Sequence, residues 1–225
     1  METFLQQVID ADTSLLLLLN GCHNEATDLL MWAVSSRLSW LLPACALIAI
    51  SVRHGWRQAL LVIATLATAV LIADQLSSGL IKHTVCRPRP SHNTDLMSTI
   101  HILNDYRGGM YGFTSSHAAN SVAVAVALGS VMKNRALLVV MLLWALLQSY
   151  SRIYLGVHYP GDILGGIIVG TLAGWAAWAI FSWLKRRFFA DVTLEFTKRH
   201  AQWMMLGLGF NLLVIMLTAA AVTLS

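Results

Sequence analysis

Three short stretches of this sequence hold most of the residues able to do acid–base or phosphoryl chemistry. KHTVCRPRP places Lys82 and Arg89 seven positions apart. TSSHAAN presents Ser115, Ser116 and His117, and SRIYLGVHYPGD gathers Ser151, Arg152, His158 and Asp162. Lys82, Arg89 and Arg152 are suited to surround the nonbridging oxygens of a phosphoryl group and to neutralise charge as it redistributes during transfer. Two histidines and a carboxylate supply what remains: a nucleophile, a general acid and an orienting partner. Cys22, Cys45 and Cys86 have neither metal-ligand spacing nor an even count, so neither a zinc site nor a disulfide framework is suggested.

Composition dictates what must position these residues. The chain has 225 residues, of which 57% are hydrophobic and only 12% charged, and its mean hydropathy is +0.66. That is too little polar residue to coat a water-soluble globule of this size. The expected fold is an all-α integral membrane bundle of about six transmembrane helices, a single domain over 1–225 with no polar linker or repeat to divide it. The lipid bilayer is its expected surrounding, and no nucleic-acid partner is expected; oligomeric state is left open. Each span should approach the roughly 20 apolar residues that a bilayer core demands. Candidates are Leu29–Val52, Ala59–Ile81, Ser115–Met132, Ala136–Tyr150, Asp162–Leu184 and Ala201–Leu224. The first is interrupted by Ser35-Ser36-Arg37 and Pro43, so only its back half is expected to span. Residues 1–37 form an N-terminal interfacial segment in this reading, because the apolar run Leu15–Leu19 lacks the basic flank of a signal peptide. In the fifth span Gly166, Gly170 and Gly174 recur every four residues and would let a neighbouring helix approach closely.

Six spans put the 53–57 turn, the 133–135 turn and the 185–200 loop on one side. Those segments carry nine of the fifteen basic residues, which makes that side cytoplasmic by the positive-inside rule. The opposite, extracytoplasmic side holds the acidic N-terminus, the long loop 91–114 and the 151–162 connection. All three chemical stretches lie at span ends on that side. Helix N-termini there offer unpaired backbone N–H groups to an anion.

The order and spacing of these residues resemble the three-part signature of the type 2 phosphatidic acid phosphatase superfamily. Lys82 with Arg89-Pro90, Ser115 with His117, and Ser151-Arg152 with His158 and Asp162 carry the resemblance. It implies that His158 attacks phosphorus and becomes phosphohistidine, that Asp162 holds its imidazole, and that His117 protonates the leaving oxygen. It implies phosphate binding by Lys82, Arg89 and Arg152, assisted by Ser115 and the backbone amide at 116, with no metal and no cofactor. One position departs from the pattern. The family usually has Pro-Ser-Gly-His where this chain has Thr114-Ser115-Ser116-His117, which keeps the amide and adds a hydroxyl donor at Ser116.

Taken singly, each residue has a simpler reading: Asp162 as a helix-start acid after Pro160, Lys82 and Arg152 as snorkelling cations, His117 as an interfacial histidine. Accidents of that kind would not reproduce one family's spacing. Asp74, within the second span, is an intramembrane carboxylate and a functional candidate by default. It stands about 12 Å of helix before Lys82, so it is expected either as an indirect partner of a site arginine or lysine or as a protonated, helix-bonding structural residue; Ser151, beside Arg152, is a further indirect candidate. A transporter would place such charges near mid-membrane on broken helices rather than at span ends, and a lipid-binding protein without activity would not need the nucleophile.

The function expected is therefore metal-independent hydrolysis of a lipid phosphate monoester or diphosphate at the outer face of a bacterial inner membrane. Undecaprenyl diphosphate and lipid A phosphate are the favoured substrates, with phosphatidylglycerol phosphate and phosphatidic acid as alternatives.

Overall fold

The computed structural model describes residues 3–53, 55–192 and 196–223. His54 in the first turn and Leu224, the expected end of the last span, lie outside the described residues. Helices account for nearly all of the rest: α1 (Phe4–Asn20), α2 (Glu25–Ser35), α3 (Leu41–Arg53), α4 (Trp56–Asp74), α5 (Lys82–Val85), α6 (Ser116–Met132), α7 (Arg135–Tyr154), α8 (Pro160–Phe188) and α9 (Lys198–Thr223). A single isolated bridge, Pro88 to Tyr111, is the only β pairing among the described residues.

Trp56–Val85, α7, α8 and α9 are each long and apolar enough to cross a membrane. The pair α2 and Arg37–Arg53, bent by 63° at Ser36, passes the same test only when taken together, as a broken span or a re-entrant loop. The expected interruption is therefore real, and it falls at Ser36 rather than Pro43. Pro43 lies in the first turn of α3, where its missing N–H costs no hydrogen bond. The third expected span, α6, is a shorter apolar helix of 17 residues. It is buried on nearly every side and forms the centre of the bundle between α4, α7 and α8.

Two boundaries differ from the sequence reading. The second span runs on to Val85 through a π-helical segment, Gln75–Ile81, before Cys86 ends it in the left-handed conformation at φ 51°. The fourth does not stop at Tyr150. Nothing between Tyr150 and Gly156 breaks a helix, so α7 continues through Ser151 and Arg152 to Tyr154 and only residues 155–159 are left as the connection to α8.

The expected glycine seam fixes the separation of α6 and α8. A Cβ at Gly166 would lie 2.6 Å from the Ser115 carbonyl, and one at Gly174 would lie 2.8 Å from the Ala123 carbonyl. Ala119, Ala123 and Ala127 face this seam and are fully buried. Small residues on both sides let the two backbones touch. His117 at the start of α6 is thereby held in a fixed relation to Asp162 at the start of α8.

The N-terminal helix closes over the same end. Leu16 and Asn20 of α1 are buried. The Asn20 amide donates to the carbonyls of Tyr154 at 2.7 Å and His101 at 3.1 Å, and accepts from the His101 N–H at 2.7 Å. Loop 91–114 is thus an ordered cover, tied also by Gly112 N–H to Arg87 carbonyl (2.9 Å) and Arg89 N–H to Met110 carbonyl (3.0 Å).

Candidate active site

The site is assembled from helix ends. The C-terminal end of the α4–α5 run brings Lys82, the N-terminus of α6 brings Ser116 and His117, and the 155–159 turn brings His158. A cavity of about 470 Å³ is lined by all four, together with Arg89 and Asp74. Ser35, Ser36 and Arg37, at the α2–α3 bend, complete its mouth.

His158 is 1% exposed and Asp162 fully buried. His158 Nδ1 lies 3.2 Å from Asp162 Oδ2, which also accepts the Tyr159 N–H at 3.0 Å. On the other side of the ring, Arg89 Nη1 is 2.8 Å from His158 Nε2. A guanidinium can only donate, so Nε2 is the accepting nitrogen and Nδ1 carries the proton given to Asp162. That tautomer leaves the Nε2 lone pair as the nucleophile. Burial first, and then the charges of Arg89 and Arg152, hold His158 well below the ordinary histidine pKa. The attacking imidazole is therefore neutral.

Arg89 is itself buried, with Nη1 also donating to the Val157 carbonyl at 3.0 Å. Burial and the neighbouring Arg152 lower its pKa from the ordinary arginine value. Its Nε is buried without a hydrogen-bond partner, beneath the cover, 3.3 Å from where a Cβ at Gly108 would stand. Gly108, at φ +66°, lets the cover lie against this guanidinium, which would stand 3.2 Å from a Cβ there.

The Thr-Ser-Ser-His departure acquires a structural meaning. The Ser116 hydroxyl accepts from Lys82 Nζ at 3.2 Å and shares a 2.6 Å hydrogen bond with Ser78, whose hydroxyl in turn lies 3.1 Å from Asp74 Oδ1. Asp74 thus reaches Lys82 through two serines.

Besides the buried Asp162, three of the sequence candidates stand away from the cavity wall. Ser115 is fully buried and serves as N-cap of α6, its side chain accepting from Ala118 N–H and its own N–H donating to the Asp162 carbonyl at 3.0 Å. The Ser151 hydroxyl donates to the Gln148 carbonyl at 2.7 Å, within its own helix. Arg152 donates to Ser35 Oγ and, at 3.1 Å, to the Tyr106 hydroxyl. It lines a smaller adjoining cavity of about 240 Å³ that shares His117, Ser35, Ser36 and Arg37 with the larger one. Its Nε is also without a partner.

Sequence reasoning missed the residues behind Asp162. Arg87 donates to Asp162 Oδ1 at 3.2 Å and to Asp12 Oδ2 at 2.8 Å, with its guanidinium 3.9 Å above the Tyr159 ring. Asp12 also accepts the Gly161 N–H at 2.7 Å. The only signal for Arg87 was its place among the basic residues on the minority side, and for Asp12 there was none.

No group of three or more His, Cys, Asp and Glu among the described residues has the arrangement to hold a metal ion. Lys82 and Arg89 put positive charge on the wall of the larger cavity, and Arg152 on the wall of the adjoining one.

Residues 58–186 match the model of the PAP2 superfamily. The chain is 36% identical over 184 residues to the lipid A 4'-phosphatase of Bacteroides thetaiotaomicron, covering 81% of this chain and 82% of the relative. It is 31% identical over 186 residues to the lipid A 4'-phosphatase of Porphyromonas gingivalis, covering 81% and 78%. Among solved structures, Aquifex aeolicus LpxE superposes with a TM-score of 0.58 at 23% identity, over 73% of this chain and 93% of that one. With its histidine, arginine and lysine positions brought to one cavity by a helical membrane bundle, the chain belongs to the PAP2 superfamily.

Proposed function

We propose that this chain is a membrane phosphatase that removes a phosphate monoester from the sugar headgroup of lipid A. The observation that carries the reading is the His158 geometry: Nδ1 pinned by Asp162, Nε2 accepting from Arg89, and the residue set on the wall of a cavity that His117, Lys82 and Arg89 also line. Similarity to two lipid A 4'-phosphatases over 81% of the chain supports the substrate class.

As substrate enters, Arg89 moves its donors from His158 Nε2 to the phosphate oxygens, and Lys82 and Arg152 share the charge. Nε2 attacks phosphorus, the bond to the sugar oxygen breaks, and His117 gives its proton to that oxygen. The dianionic phosphate favours the imidazolium form of His117 in the complex. A water then attacks the phosphohistidine, losing its proton to His117, and inorganic phosphate leaves. Asp162 stabilises the positive charge that His158 carries as the intermediate forms. Lys82 and Arg89, with Arg152 acting from the adjoining cavity, supply the charge stabilisation that a metal provides in other phosphatases.

The excess of basic residues at the opposite end supports placing this site on the outer face of a bacterial inner membrane. Incubation of purified protein with phosphate-labelled lipid A, undecaprenyl diphosphate and phosphatidylglycerol phosphate, followed by phosphate assay and by alkaline quench to trap phosphoenzyme, tests the reading. Preferential release from lipid A with a labelled, acid-labile intermediate absent in His158→Ala is expected. Faster release from another lipid would overturn the substrate, and a labelled intermediate persisting in His158→Ala would overturn the mechanism.

A further inference from the structure

The end of the bundle remote from His158 holds a second polar cavity. α6 runs from Ser116 at the site to Met132, and α8 runs from Pro160 to Phe188, so both helices finish at that far end. There a cavity of about 450 Å³ is lined by Lys133, Lys185 and Arg186, by the hydroxyl residues Ser130 and Ser182, and by Trp178. Among the described residues no carboxylate lines it. None of the three cations has an ion-pair partner among the described residues, and Asp191, close by in the chain, is held by Arg57 at 2.6 Å.

Cations at the C-terminal ends of α6 and α8 complement the negative ends of the helix dipoles. That explains their presence but not their convergence, since cations kept only for solvation or dipole interaction separate into water to limit mutual repulsion. An anion bound among them removes the repulsion and accepts hydrogen bonds from both hydroxyls. The apolar surroundings say what kind of anion. Leu164, Ile168, Leu172 and Trp175 are all exposed and recur at three- and four-residue spacing on α8, forming one stripe that leads to Trp178 at the cavity.

We propose that this cavity binds the phosphodiester headgroup of an anionic membrane phospholipid, with an acyl chain laid along the α8 stripe. The site is separate from the catalytic cavity and shares no residue with it.

Thermal unfolding of the purified protein in neutral detergent tests the proposal. Phosphatidylglycerol near saturation should raise Tm by a few degrees, about the shift expected from ligand concentrations well above Kd. Phosphatidylcholine and inorganic phosphate should each leave Tm unchanged. Lys133→Ala/Lys185→Ala/Arg186→Ala should abolish the shift, whereas Arg135→Ala/Lys198→Ala/Arg199→Ala, which removes equal charge at the same end, should retain it. If the first triple variant does not fold, Trp fluorescence quenching by phosphatidylglycerol with brominated chains provides the second readout, and Trp178→Phe should lose a saturable component of it. An equal shift with phosphatidylcholine or with inorganic phosphate, a shift that persists in the lining variant, loss of the shift in the charge-matched variant, or quenching unaltered in Trp178→Phe would each overturn the assignment.

Discussion

Arg87 and Asp162 form an ion pair at 3.2 Å that uses the carboxylate oxygen His158 leaves free. Asp162 is fully buried, so its charge depends on this partner, and Arg87 is itself anchored to Asp12 on α1. The orientation of the nucleophile is thereby referred back to the N-terminal helix. Arg87→Ala should lower kcat by on the order of 10-fold or more, since each ~1.4 kcal/mol of lost transition-state stabilisation is a factor of ten, while KM changes little because Arg87 lies behind the substrate. Asp12→Asn should have a smaller effect in the same direction. Steady-state kinetics decide it: a rise in KM at unchanged kcat would place Arg87 in phosphate binding instead.

The buried neutral state of His158 has consequences for pH. Its pKa is depressed in the folded protein, chiefly by burial and then by Arg89, so the nucleophile stays deprotonated as pH falls through the ordinary histidine range near ~6.5. The unfolded chain takes up a proton there and the folded chain does not. Acidification below about pH 6.5 therefore favours unfolding, by at most ~1.4 kcal/mol per pH unit for this one group, and above that pH the contribution vanishes. Comparing unfolding midpoints of the wild type and His158→Gln from pH 5 to 8 isolates it. The two curves should run parallel above pH 7 and converge on acidification, and parallel curves throughout would contradict the assignment.

What the sequence disclosed and what it hid divide along contact distance. Lys82 with Arg89, His117 with its serines, and His158 with Asp162 were legible because each set lies within one helix end, where spacing along the chain dictates spacing in space. The bundle itself was legible from hydropathy, down to the break at Ser36 and the Gly166–Gly170–Gly174 seam. Arg87 with Asp12, and Arg152 with Ser35 and Tyr106, join residues 46 to 117 positions apart, or 75 apart for Arg87 and Asp162. Nothing local to either partner announces such pairs, because closure of α1 and α2 over α7 and α8 creates them. The same closure takes Arg152 from the expected phosphate cluster to the wall of the adjoining cavity.

Ser116 offers a test at the position where this chain departs from its family. Its hydroxyl links Lys82 to Ser78 and so to Asp74. Ser116→Ala should release the Lys82 ammonium from a charge-assisted hydrogen bond of roughly 1.5–3 kcal/mol, raising KM several-fold with a smaller loss in kcat. Ser78→Ala should reproduce part of this effect, and the double variant should be less than additive because both changes break one chain. Strict additivity in the kinetics would show that the two serines act separately.

The close contact between α6 and α8 makes the last expectation. A Cβ at Gly174 would meet the Ala123 carbonyl and the Val126 Cβ at 2.8 Å, whereas one at Gly207 on α9 would find nothing nearer than the Ala46 Cβ at 3.7 Å. The first distance is far inside van der Waals contact and involves backbone, which cannot swing aside, while the second is ordinary packing. Gly174→Ala must therefore separate the two helices, at a cost of about 1–3 kcal/mol for overpacking, and Gly207→Ala should be neutral or slightly stabilising because alanine is the better helix former. Because His117 leads α6 and Asp162 leads α8, the separation should also lower activity at temperatures where the protein remains folded. Unfolding midpoints in detergent paired with phosphate release at 20 °C below the midpoint measure both effects. Equal stability of the two variants would show that the glycine seam does not hold the helices together.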